Sequence, residues 1–181
     1  MSIEANYRRI SPEKFAQLLA DRDAAESFFY PSETAWHGEQ GSETIQEAKG
    51  EVFSLGKEWH ALHFLLTGES DLTSPSLAIP PLGDVLQGGT PTEFDATYGS
   101  VRVLSPDRVR AVADVLQTIS AKELERRFDP EKFNALRIYP ILQPGGWEEE
   151  DIELLLELYP RLVEFFTSAS EAGDMVLLSS D

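Results

Sequence analysis

The stretch KEWHALHFLLTG, Lys57 to Gly68, sets His60 and His63 three residues apart beside Trp59. On a helix, imidazoles at i and i+3 lie close enough to share a metal ion, and either could serve as a general base. A zinc site needs at least one further ligand, and the third histidine of the chain, His37, falls in a polar stretch well before the pair. A catalytic histidine needs a nucleophile or an orienting acid, and no G-x-S-x-G frame occurs. The residue types fit a core helix better. Leu55, Trp59, Leu62 and Leu66 share one stripe at 100° per residue, with Lys57 and Phe64 pointing elsewhere. His63 flanks the stripe as a buried or half-buried hydrogen-bonding residue, His60 is expected in solvent, and Thr67-Gly68 ends the helix. Phe64, opposite the stripe, must meet a second layer of packing. No metal site and no cofactor are expected.

Two other groups invite chemistry. Glu148, Glu149, Glu150 and Asp151 are four successive acids, but successive residues fan around a helix instead of converging on an ion. Carboxylates are favoured at a helix N-terminus by its unpaired N–H groups, which explains them without a metal. Gly88-Gly89-Thr90 offers backbone N–H groups to an anion, yet lacks the spacing and lysine of a phosphate loop, so a turn explains it as well. The chain has no cysteine, which removes disulfides, thiolate catalysis and thiolate metal sites together.

The elements that must position these groups are written in the period of the apolar residues. Ile3, Ala5 and Tyr7 alternate with Glu4, Asn6 and Arg8, as in a half-buried strand. Ser11-Pro12 then opens a helix whose stripe is Phe15, Leu18 and Leu19. The same order returns with Val101 and Val103 alternating with Ser100, Arg102 and Leu104, followed by Ser105-Pro106 and the stripe Val109, Val112, Ala113, Leu116. Shared capping physics explains this echo as well as an internal duplication would. Asp129-Pro130 opens a third helix with Phe133 and Leu136 behind it. Ile152, Leu155, Leu156, Tyr159, Leu162, Val163 and Phe166 form a long helical face, in which Pro160 is expected to produce a kink or a break. Gly173 fits its stop, and MVLL after it reads as a final strand. Residues 30–50 and 68–97 show no period, and long loops of that kind are often functional or mobile.

Length and charge limit the classes. At 181 residues the chain suits one domain, 1–181, with a real core. Hydrophobic residues at 41% and charged residues at 26% fit a globular protein. No run reaches the length of a spanning helix and the first residues lack an apolar signal segment, so no membrane association and a cytoplasmic location are expected. The 32 Asp and Glu outweigh 15 Lys and Arg, for a formal charge of -17. That field repels phosphate backbones and no basic patch exceeds Arg126-Arg127 or Arg8-Arg9, so no nucleic-acid partner is expected. The same field would steer a basic protein partner, although solubility alone also accounts for it. Oligomeric state is left open.

KEWHALHFLLTG, the Gly88-Gly89 pair, YGSVRVLSPDRV, LERRFDP, IYP at Ile138, Trp147, and a long acidic helix ending in EAGDMVLL together resemble the YfbM-like family of bacterial proteins, a domain of unknown function. The likeness spans nearly the whole chain and is weakest over residues 30–50. His60 is not part of the family's pattern. The resemblance implies a small α+β domain, several helices packed on a small mixed or antiparallel sheet, with no established activity and no catalytic residues to carry over.

Two functions are therefore weighed. One is a protein-interaction domain, including the immunity type that neutralises a basic toxin. The alternative is a small-molecule-binding protein or enzyme whose pocket gathers Trp59, His63, Thr67, Tyr98, Tyr139 and Trp147, with Gly88 and Gly89 as its rim. Aromatics with polar tips line pockets, and they also fill cores.

Overall fold

The computed structural model describes residues 2–30, 51–71, 79–140 and 145–181. His37, most of the polar stretch 30–50 and residues 72–78 of the second loop lie outside these. Five strands, β1 (Ala5–Ile10), β2 (Val52–Gly56), β3 (Thr90–Ala96), β4 (Gly99–Leu104) and β5 (Met175–Ser180), form one sheet in the order β2-β1-β5-β4-β3. Every neighbouring pair is antiparallel. The described helices are α1 (Pro12–Ala20), α2 (Arg22–Phe29), α3 (Trp59–Thr67), α4 (Pro106–Thr118), α5 (Ala121–Arg127), α6 (Pro130–Ala135) and α7 (Ile152–Ala172). This is the α+β architecture expected, with the sheet purely antiparallel.

The last strand sits at the centre, hydrogen-bonded to β1 on one side and β4 on the other. That position explains why MVLL is a continuous apolar run: Val176 and Leu178 face one core while Leu177 faces another. The larger core lies between the sheet and α3, α4, α5, α6 and α7, where Val109, Val112, Ala113 and Leu116 meet Leu155, Tyr159, Leu162 and Phe166. The smaller core covers the opposite face, where Phe15, Leu18 and Ala25 pack on Ile10, Phe94, Val101 and Leu177. Leu19, placed on the α1 stripe by its spacing, is instead exposed.

The structure departs from the sequence pattern at several points. Leu55 belongs to β2 and not to the helical stripe of Trp59. β3 lies inside the stretch without period, because Pro91 removes a ladder donor and a register shift falls between Pro91 and Asp95. The strand tolerates both at the sheet edge, and the Thr92 hydroxyl fills the gap, donating to Val101 O at 2.8 Å and accepting from Phe94 N at 3.2 Å. α7 runs unbroken through Pro160. Pro160 is exposed, and Leu155, Tyr159 and Leu162 keep the buried side continuous. The acids before α7 form their own turn, Glu149–Asp151, closed by a reciprocal box in which Glu148 N donates to Asp151 Oδ2 at 2.7 Å.

Candidate functional site

α3 is only nine residues long, yet every residue from His60 to Leu66 is buried. A helix buried all round needs no amphipathic period, which is why the one-sided stripe read from the sequence is too narrow. Leu62 and Leu66 are core, and Phe64 meets the second layer it required, edge-on to Phe133 of α6 at 5.3 Å. Gly68, at φ +78°, closes the helix in a left-handed conformation, its N–H donating to Phe64 O. The Thr67 hydroxyl turns back to His63 O at 2.7 Å and accepts from Glu69 N, so Thr67 is a helix-end device.

His60 is buried, against the expectation of a solvated ring. Its Nδ1 accepts from Tyr139 N at 3.0 Å, which puts the proton on Nε2, 3.1 Å from Ser70 O. Both nitrogens are thus engaged by backbone, and neither is left to bind a metal. Burial lowers its pKa, against the opposing effect of the Ser70 carbonyl. His63, one turn on, is pushed down to about 4 by burial and then by proximity to His60. Its Nδ1 finds no hydrogen-bond partner among the described residues. No group of three or more metal-ligating side chains occurs among the described residues.

Around His60 the aromatics close a knot. Trp59 stacks on the His60 ring at 5.3 Å and lies 5.5 Å from Tyr139. Trp59 Nε1 donates to Ile3 O at 2.9 Å, and the Tyr139 hydroxyl accepts from Ile3 N at 3.0 Å, so the two rings grip the chain just ahead of β1. Trp147 Nε1 donates to Ile138 O, while its ring packs against Phe128 and Phe133. Asn134 brackets the Trp147 backbone with two bonds, 2.9 and 2.8 Å. These polar atoms hold the fold together.

Tyr98, Gly88 and Gly89 gather elsewhere. Arg102 Nε donates to Gly88 O and its Nη2 to Gly89 O, both at 2.8 Å, so the glycine pair presents carbonyls to Arg102 where the sequence suggested N–H groups for an anion. A Cβ on Gly88 would overlap the Cα of Asp84, and one on Gly89, at φ +85°, would lie 2.6 Å from Val103 O. Asp84 is itself buried and paired through both carboxylate oxygens with Arg108. Next to this turn lies a cleft of about 370 Å³ including its open mouth, lined by Leu86, Tyr98, Ser100, Arg102, Leu178 and Ser180 among others. No hydrogen bond or ring contact among the described residues joins this cleft to the Trp59–His60–Tyr139 knot. The residues first grouped as one pocket therefore fall into two places, with Trp147 buried against the knot's backbone.

Arg102 is the residue that sequence reasoning passed over as the polar side of a strand. The signal was present: Arg102 shares its face of β4 with Leu104, which is fully buried, so that face is a core face carrying a cation.

The fold has a solved counterpart. The crystal structure of a protein of unknown function, YfbM from Escherichia coli, is similar with a TM-score of 0.63 at 20% identity, covering 97% of this chain and 98% of that one. At that identity the likeness concerns the fold. No curated protein matches the chain. The family described as "Domain of unknown function (DUF1877)" matches residues 1–179, nearly the full length, and the chain belongs to that family.

Proposed function

We propose that the protein is a cytoplasmic interaction domain that meets a basic protein partner through the outer face of α7, as an immunity-type protein does in occluding a basic toxin. The observation that supports this reading is a ridge of glutamates. Glu153, Glu157, Glu164 and Glu171 are exposed, and at 100° per residue they fall within about 40° of arc along about 27 Å of helix. No salt bridge among the described residues reaches any of the four. The arginines, by contrast, are largely turned to intramolecular partners: Arg9 to Asp174, Arg108 to Asp84, and Arg126 and Arg127 to Glu123. The outward field is thus more one-signed than the composition alone requires, and such a field accelerates encounter with a basic surface while disfavouring nucleic acid. No described helix is long and apolar enough to cross a membrane. The rival small-ligand role draws on Tyr98 and the glycine turn, since the polar atoms of Trp59 and Trp147 are spent on backbone.

The test uses the intact protein and a variant with Glu153, Glu157, Glu164 and Glu171 all changed to Gln. Partners captured from a lysate of its own organism are identified, purified and returned to a binding assay. The expected partner is basic, its on-rate falls as salt rises, and the variant associates roughly tenfold more slowly. A partner that binds both forms alike, or whose on-rate ignores salt, overturns the acidic-face reading. Salt-sensitive binding to duplex DNA or RNA overturns the exclusion of nucleic acid.

A further inference from the structure

We propose that the cleft floored by β4, β5 and β1 is a binding site for a small oxyanion-bearing ligand, carboxylate or phosphate, with Arg102 as its anchor and Ser100 and Ser180 as its hydroxyl donors. The site follows from the register of the sheet. Arg102 is paired with Leu178, and Leu178 with Tyr7, so these three side chains cross the sheet in a row on the face of the larger core. Toward Leu104 and Val176 that face is buried beneath the helices. Toward Ser100 and Ser180 it opens into the cleft, walled by Leu86 and with Tyr98 at the mouth.

Arg102 differs from the six arginines that form ion pairs, while Arg8, like it, donates to a backbone carbonyl, Phe28 O, and lies over the Phe28 ring. Arg9, Arg22, Arg108, Arg110, Arg126 and Arg127 each pair with a carboxylate. Arg102, part-buried, is bound only to the neutral carbonyls of Gly88 and Gly89, in a chain with twice as many acids as bases. Those two bonds occupy Nε and Nη2, and Nη1 has no partner among the described residues. A guanidinium held this way keeps its full charge and a fixed plane, and its ordering is complete before a ligand arrives. The turn that fixes it is rigid for stated reasons: Asp84 is clamped by Arg108, Gly88 packs directly on Asp84, and Gly89 fits against Val103 O.

The surroundings suit an anion. None of the hydrogen bonds among the described residues uses the hydroxyls of Ser100, Ser180 or Tyr98. The nearest carboxylate by sequence, Asp181, is engaged by Asn6 Nδ2, Ser179 Oγ and Thr97, and Asn6 and Ser179 are themselves among the residues lining the cleft. The enclosed space of the cleft is only about 70 Å³, which limits its ligand to a small ion or molecule. This site is independent of the α7 ridge.

Inorganic phosphate and acetate, titrated separately at constant ionic strength with chloride as the control, would be followed through the Arg102 Nε–H signal and the amides of Gly88, Gly89 and Ser100. Saturable shifts with either oxyanion but not with chloride are expected, and the stronger of the two tells which group the ligand carries. Arg102→Gln should weaken binding by at least about tenfold. Because Arg102 also steadies the turn, a second variant, Ser100→Ala with Ser180→Ala, removes only hydroxyls and should weaken binding severalfold at an unchanged melting temperature. Equal shifts with chloride, no saturation with either oxyanion, or a double serine variant that binds like the parent would each overturn the proposal.

Discussion

His60 and His63 stand one turn apart in the same buried helix, and their environments give them opposite duties. His60 spends both nitrogens on backbone and ties α3 to segments at Ser70 and Tyr139. Its burial could not be read locally, because the Tyr139 amide that it binds is 79 residues away. His63 has one nitrogen without a hydrogen-bond partner among the described residues and a pKa pushed down to about 4 by burial, from 6.5. Below pH 6.5 the unfolded chain takes up a proton on this residue that the folded chain refuses until about pH 4. Stability linked to His63 is therefore fully present above pH 6.5 and is lost as pH falls through that window, by an amount on the order of 3 kcal/mol. His63→Leu, close in volume and without a polar atom, should flatten the dependence of melting temperature on pH between 7 and 5. It should also hold or raise stability at pH 7, since a buried unpaired polar atom costs about 1–3 kcal/mol. A variant whose melting curve tracked the parent across that interval would refute the assignment.

At the scale of elements, what was legible followed from period, and what was not followed from its loss. α1, α4 and α7 each keep one apolar side against one packed layer, β1 and β4 alternate clearly although each also sends a residue to the other core, and β5 is a short run after a Gly stop. The caps of α1 and α6 are local: Ser11 accepts from Lys14 N, and Asp129 from Lys132 N. α3 has no dry side and a wet side, so its stripe misleads. β2 and α2 flank residues 30–50, where polarity drowns a short pattern, and β3 carries a proline and a bulge. The cleft at Arg102 needs three strands in register and a turn from another segment, none of which sequence spacing supplies. Pro160 tests the same reasoning. Proline inside a helix costs about 3 kcal/mol, of which its stiffening of the unfolded chain returns about 0.4–1 kcal/mol. Pro160→Ala, restoring an N–H toward Leu156 O, should raise stability by about 2 kcal/mol in a denaturant titration. A loss of stability would show that the proline sets a bend on which the packing against α4 depends.

Over the whole molecule, charge and fold pull against each other. A formal charge of -17 repels itself in the compact state, and the ridge on α7 adds like charges along one helix, Glu153 and Glu157 being a like-charge pair at i, i+4. Glu171 is the least favourable member, since it lies in the last turn of α7, beside the negative end of the helix dipole, one residue before Ala172 and the Gly173 stop. Glu171→Lys reverses that interaction and should stabilise the fold by roughly 0.3–1 kcal/mol at low ionic strength. The gain should shrink as salt shortens the Debye length from about 30 Å at 0.01 M to about 8 Å at 0.15 M. The parent's own melting temperature should rise over the same salt range, because screening relieves its self-repulsion. If the ridge is a docking surface, Glu171→Lys also slows association with the basic partner, so stability and binding move in opposite directions in one variant. A variant that is more stable and associates as fast as the parent would leave the ridge as a solubility device, and one that is less stable at low salt would show that Glu171 has a local cation and does not stand against the dipole alone.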